Sequence, residues 1–210
     1  MKRAEVMRGY GGVSADDRRT ERREKLLTAA RQIWGASGVS EVTVRGVCSA
    51  AGLTSRYFYE QFENREALLF AVADAVRDEL LAALVEAGVG NPGSLADKLS
   101  SGLTAFLEAI AADPDVHRIA TGDVSSVPGL TAHRAGILDL ITDAIVENAP
   151  SVVEGELPEP KAMRRSALFM VGGVNQLIET WLRDPKETPA ELAATAADLC
   201  VALVKGASPD

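Results

Sequence analysis

Cysteine, histidine and aromatic side chains are all scarce in this chain of 210 residues, and each scarcity closes off a class of function. The two cysteines, Cys48 and Cys200, are not spaced as a zinc motif. Both fall in apolar stripes, where a free thiol behaves as a small hydrophobe; a redox switch is the alternative. The two histidines, His117 and His133, lack ligand spacing, and no Ser or Cys stands as an obvious nucleophile. No catalytic residue, metal or cofactor is therefore expected. Gly172-Gly173 lies inside a helical pattern, without the strand before it or the Lys-Ser/Thr after it that a phosphate loop needs. No apolar run is long enough to span a bilayer, and the charged, Gly-rich start is unlike a signal peptide. A soluble, cytoplasmic protein without a membrane partner is expected. With aromatics at 5%, the core must rest on Leu, Val, Ile and Ala. Ala-rich segments with few β-branched alternations favour helix, and no strand pattern or internal repeat is present, so the fold class is all-α.

Basic charge is also short overall: 22 Lys/Arg against 30 Asp/Glu give a net −8. The deficit is not uniform. Residues 1–65 hold 12 Lys/Arg and 8 Asp/Glu, a net +4, which leaves 10 and 22, a net −12, for residues 66–210. Phosphate contact needs local positive charge, so this asymmetry fits a nucleic-acid-facing head on an acidic body.

What is present is most concentrated at residues 43–65, TVRGVCSAAGLTSRYFYEQFENR. Val44, Val47, Cys48 and Ala51 form one apolar stripe at helical spacing, with Thr43 placed to cap it. Gly52 ends that helix where a left-handed residue is wanted, and Leu53 drops into the turn. Thr54 caps a second helix whose inward residues are Phe58 and Phe62, leaving Ser55, Arg56, Tyr57, Tyr59 and Gln61 to point outward. A helix presenting hydroxyl, guanidinium and phenol groups suits the major groove, where donors and acceptors line the base edges. The alternative is an ordinary pair of core helices, against which stand two tyrosines on a polar face and an arginine near its start.

Nine helices are expected along the chain. Residues 1–16 form an aperiodic arm whose Lys2, Arg3 and Arg8, with Arg18 and Arg19 just beyond, either touch DNA or stay solvated. Helix one covers Asp17–Ser37 with Leu26, Leu27, Ala30, Ile33 and Trp34 inward, and Gly38 stops it. The motif supplies helices two and three. Asn64 caps a long helix four that reaches Gly88. A turn at Gly88–Gly93 precedes helix five, opened by a Ser94–Asp97 capping box and ending near Ala112. Asp113-Pro114 starts a sixth helix over 114–121. Helix seven runs from about Pro128 to Asn148, the stretch 149–160 is a loop, helix eight covers 161–183, and Thr188–Glu191 opens helix nine over 189–205. The domain reading is an arm at 1–16, a helix-turn-helix domain at 17–64, and a larger helical domain for ligand binding and dimerisation at 65–210.

Residues 20–70 resemble the DNA-binding head of the tetracycline-repressor (TetR) family of transcriptional regulators. The carrying residues are LLTAARQIW of helix one, Gly38, Thr43–Arg45, Ala51-Gly52-Leu53-Thr54, Phe58-Tyr59, Phe62 and Arg65-Glu66-Ala67-Leu68. Helices eight and nine are similar in texture to that family's dimerising pair. The resemblance implies a homodimeric, usually repressing regulator of a palindromic double-stranded DNA operator, with a ligand cavity in each body. It puts Arg45 where a base is contacted from helix two, Thr43 and Thr54 at phosphate-holding helix starts, and Ser55, Arg56 and Tyr57 in base-reading slots. Tyr59 takes the slot of a phosphate-binding tyrosine and Arg65 that of a phosphate-binding lysine. Arg56 departs from a small or turn-favouring residue and Gln61 from a frequent histidine, so no operator sequence carries over. Gly46 inside helix two costs about 1 kcal/mol relative to Ala.

In the body, Phe106, Phe169, Met170 and Trp181 are bulky candidates for lining a cavity, with His117, Asn175, Gln176 and Glu179 as polar anchors. Each has an alternative place in the core or on a solvated face. The shortage of basic residues there argues against an anionic effector, whose identity stays unknown. Gly172-Gly173 suits close approach of two helices across a dimer interface, with Val171, Val174 and Ile178 adding apolar burial. Two rivals to a ligand-responsive regulator remain: a DNA-binding dimer whose body only dimerises or binds a partner, and, remotely, an all-α enzyme.

Overall fold

The computed structural model describes residues 14–122, 124–152 and 158–206. Among these the chain forms nine α-helices and no strand: α1 (Ala15–Ser37), α2 (Val44–Ala51), α3 (Ser55–Tyr59), α4 (Arg65–Gly90), α5 (Leu95–Ala112), α6 (Pro114–Thr121), α7 (Leu130–Val152), α8 (Pro160–Arg183) and α9 (Pro189–Gly206). A 3₁₀ turn at Val39–Glu41 joins α1 to α2. The basic residues Lys2, Arg3 and Arg8 of the expected arm lie outside the described residues, whereas Arg18 and Arg19 sit on the first turns of α1.

Local chemistry sets most helix starts. Ser14 and Asp17 make a reciprocal capping box that begins α1 ahead of the expected Asp17. The Ser94–Asp97 and Thr188–Glu191 boxes and the Asn64 and Asp113 caps all form where the sequence places them. Two ends differ from expectation. The fourth helix runs two residues beyond Gly88, to Gly90. The seventh continues through Pro150 to Val152 in place of a loop from 149, with Ala149 buried in its last turn although Pro150 has no N–H to bond back into the helix.

One cluster of buried side chains crosses residue 65. It runs from Leu26, Trp34, Val47, Phe58 and Phe62 through Leu68, Leu69, Val72 and Val76 to Ile110, Val116, Ile119 and Leu130. A second cluster joins Leu103 and Leu107 of α5 to Trp181 of α8 and Leu192, Ala193 and Ala196 of α9. Helices α4 and α5 pass so closely that a Cβ on buried Gly102 would stand 2.7 Å from the Leu84 carbonyl oxygen. No described helix is long and apolar enough to cross a membrane.

Candidate nucleic-acid interface

The head is assembled around two short helices. Thr43 accepts a hydrogen bond from the Gly46 amide at 3.1 Å and starts α2. Val47 and Cys48 are buried, and Gly52 closes the helix at φ 65°, a left-handed value that suits a residue without Cβ. Cys48 is free, and burial pushes its thiol pKa up, against a hydrogen bond with the Ser55 side chain. Cys200 is raised by burial as well, so both thiols sit as protonated core groups.

Helix α3 is held from beneath by Phe58, which is fully buried and tilts against Phe62 with centroids 5.7 Å apart. Its other four residues, Ser55, Arg56, Tyr57 and Tyr59, are exposed. Tyr59 stands edge-on to Phe58 and is 61% exposed. Arg56, with its side chain 85% exposed, makes an i,i+4 pair with Glu60 at 3.2 Å, a contact worth about 0.3–0.5 kcal/mol and easily exchanged for a stronger partner. Thr54 occupies the N-cap position, but its side chain makes no capping bond, contrary to the expected role. Exposed Arg45 stands on α2 in the same helix-turn-helix. These side chains form an exposed polar and cationic surface carrying donors, acceptors and two phenols.

Two candidates behave differently from expectation. Gln61 is half-buried, and its Nε2 lies out of water with no hydrogen-bond partner among the described residues, so it does not point freely outward. Arg65 turns back into the head: Nε donates to the Val42 carbonyl and an Nη to the Val39 carbonyl, both at 2.5 Å. Its guanidinium thereby satisfies the 3₁₀ turn that leads into α2. From the spacing alone, Arg65 was only a cation near the start of a helix. Sequence reasoning also missed Arg22 and Arg23 of α1, whose guanidinium groups lie over the Tyr57 and Phe62 rings. Nothing in the sequence separates them from the exposed arginines at 18 and 19.

The body candidates do not gather in one place. Phe106 and Trp181 are parts of the core, and the Trp181 indole N–H donates to the Glu187 carbonyl at 2.7 Å. A groove of about 220 Å³ lies beside Trp181, lined by Leu177, Thr180, Asp184, Lys186, Glu187 and Leu192. Met170 and Asn175 are half-buried on α8, and Asn175 donates to Glu179 at 3.0 Å on the same helix. Half-buried His117 sits on α6, separated from α8 in the chain by the whole of α7. His133, by contrast, bonds Asp74 at 2.8 Å and stacks on Phe70, tying α7 to α4. The residues expected at the interface divide between two sides of α8. Val171 is buried and Val174 and Ile178 pack on the inner cluster, whereas Phe169, at 68%, and Leu168, at 52%, are exposed beside exposed Gly172, Gly173 and Gln176.

Residues 26–72 match the family described as bacterial regulatory proteins, tetR family. No curated protein matches the chain. Among solved structures it is similar to a TetR-family transcriptional regulator from Streptomyces coelicolor, at 18% identity and TM-score 0.69 over 90% of this chain and 82% of that one. A putative TetR-family regulator from Rhodococcus sp. aligns at 22% identity and TM-score 0.63, over 88% of this chain and 99% of that chain. FadR from Bacillus subtilis, solved in complex with stearoyl-CoA, aligns at 17% identity and TM-score 0.59, over 87% and 98%.

Proposed function

We propose that this chain, whose residues 26–72 match the tetR family of bacterial regulatory proteins and whose fold is similar to that of a TetR-family regulator, is a homodimeric repressor that binds a palindromic operator and is released by a small molecule. The observation that carries the reading is α3: a five-residue helix anchored by one fully buried phenylalanine, with every other side chain exposed. Arg45, Ser55, Arg56 and Tyr57 read base edges. Thr43, Thr54 and Tyr59 hold phosphates, and Gln61 and Arg65 support the surface from behind. Two heads in one dimer, about one helical turn of DNA apart or somewhat more, make the operator a palindrome.

Dimerisation proceeds through the outward faces of α8, which exposes Leu168, Phe169, Gly172 and Gly173, and α9, which exposes Leu199. The effector is mostly apolar with a few polar anchors. The stearoyl-CoA complex of the Bacillus subtilis regulator supports testing acyl chains first, while 10 Lys/Arg against 22 Asp/Glu beyond residue 65 argue against a phosphate-bearing carrier. The effector acts by preferring a body conformation that moves α4, since only differential affinity shifts such an equilibrium. A second reading, a regulator whose body serves dimerisation or a protein partner alone, is favoured by the scatter of Phe106, His117, Phe169 and Gln176 over separate faces.

The test is selection of duplexes from a random pool by the purified full chain, followed by sequencing. Enrichment of one palindrome is expected; a pool that stays random at moderate salt would refute sequence-selective binding. Acyl ligands are then titrated with and without that duplex. Coupling is reciprocal, so an effector must bind the free dimer more tightly than the complex.

A further inference from the structure

The direction of the outward side chains on α3 is set from outside the helix. It has five residues and no side-chain cap, so its own hydrogen bonds constrain it weakly. Phe58 and Phe62 hold its inner side. Two consecutive arginines of α1 reach to the aromatic rings in and just after α3. Arg23 lies 4.5 Å from the Phe62 ring centroid and donates to the Gln61 carbonyl at 3.4 Å, fastening the turn that follows α3. Arg22 lies 4.7 Å from the Tyr57 ring centroid.

Arg22 is unusually placed for a half-buried arginine. Its Nε is out of water and has no hydrogen-bond partner among the described residues, an arrangement that costs free energy. The contact that holds the guanidinium is the aromatic face beneath it. Tyr57 is correspondingly 37% exposed against 61% for Tyr59, covered by Arg22 yet open enough to reach a partner. An uncovered tyrosine on a short helix would sample several rotamers, whereas a cation stacked on one ring face selects one. Rotamer choice matters because a phenol discriminates bases only within hydrogen-bond distance and direction of one base edge.

We infer that Arg22 is a positioning residue for sequence discrimination, acting through Tyr57 to aim its phenol at one base edge, and not by neutralising a phosphate. The inference rests on the proposed entry of α3 into the major groove. It separates two roles that a basic residue near DNA can have. A phosphate contact needs only charge, so lysine replaces arginine. A stacked clamp needs the flat guanidinium, so lysine does not.

The experiment uses the full chain, the duplex selected by the wild type, and all single-base-pair variants of that duplex, measured across a salt series. Tyr57→Phe locates the base pair the phenol reads, as loss of preference there. Arg22→Lys, which keeps charge and stem, is expected to lose preference at that same base pair by roughly two- to fivefold, with an unchanged salt slope. Arg22→Ala is expected to add nothing to that loss once Tyr57→Ala is present. Circular dichroism confirms that each variant is folded; should Arg22→Ala fail to fold, Arg22→Lys carries the test. Wild-type preference retained in Arg22→Lys overturns the inference. So does uniform weakening on all duplexes with a shallower salt slope in Arg22→Ala, or unchanged preference in Tyr57→Phe. A wild type that selects no duplex overturns the proposed function and this inference with it, whereas the other results leave the function standing.

Discussion

Replacing Gly173 by glutamate separates what α8 does within its own chain from what it does between chains. Gly172 and Gly173 lie mid-helix on the exposed side, and a Cβ built on either meets no atom within 4 Å. Within one chain the substitution therefore creates no clash, and it gains about 0.5 kcal/mol of helix propensity. Between chains the balance reverses. In the proposed dimer this face is covered, along with Leu168 at 52% and Phe169 at 68% exposure in the single chain. An uncompensated carboxylate buried there costs about 3–5 kcal/mol, and a twofold interface carries the change twice. One such penalty alone raises the dimer Kd by roughly 10² to 10⁴-fold. Gly173→Glu is thus expected to be a helical monomer at micromolar concentration by light scattering, with wild-type far-ultraviolet circular dichroism and operator affinity collapsed for want of a second head. A variant still dimeric at the same concentration places the interface elsewhere. A variant that loses its helical signal contradicts the open surroundings of Gly173 within the chain.

Arg65→Ala removes two charged donors from the Val42 and Val39 carbonyls; with the side chain 26% exposed, a loss of about 2 kcal/mol is expected, or roughly 4–8 °C in Tm. An unchanged melting temperature together with a shallower salt dependence of DNA binding would instead assign Arg65 to phosphate. Gly102→Ala drives a methyl group against the Leu84 carbonyl oxygen, and its packing cost of about 1–3 kcal/mol should exceed the gain of about 1 kcal/mol in helix propensity, lowering the urea midpoint. The Asp113 carboxyl is pushed up by burial but pulled down further by the Asp115 amide, the Arg31 guanidinium and the Val116 amide, so its pKa lies below the ordinary carboxylate range. A depressed folded value means that its stabilisation is complete above that range and disappears as pH falls through the folded pKa. Asp113→Asn should therefore show a flatter acid limb when urea midpoints are followed downward from about pH 6, and superimposable limbs would rule out this linkage.

Most helix starts and the architecture of the head were legible in the residues because their causes are local. A capping box such as Ser94–Asp97 or Thr188–Glu191 is completed three positions along the chain, and the inward set Val47, Cys48, Phe58 and Phe62 follows from helical spacing and one left-handed glycine. The direction in which a helix faces was not legible in the same way. On α8, apolar and small residues occur around the whole circumference, so its pattern admits more than one rotation about the axis. Packing against Leu103 and Leu107 of α5 and Leu192 and Ala196 of α9 chose the rotation that buries Trp181, turns Val174 and Ile178 inward and leaves Phe169 out. Arg65 and Arg22 differ from solvated arginines only through contacts with carbonyls and a ring 23 to 35 positions away, reached once the chain has folded. Capping is a matter of one turn of backbone, settled by the order of residues; which face is inside and which cation has a partner depend on surfaces brought together from distant parts of the chain, and only the tertiary structure decided them.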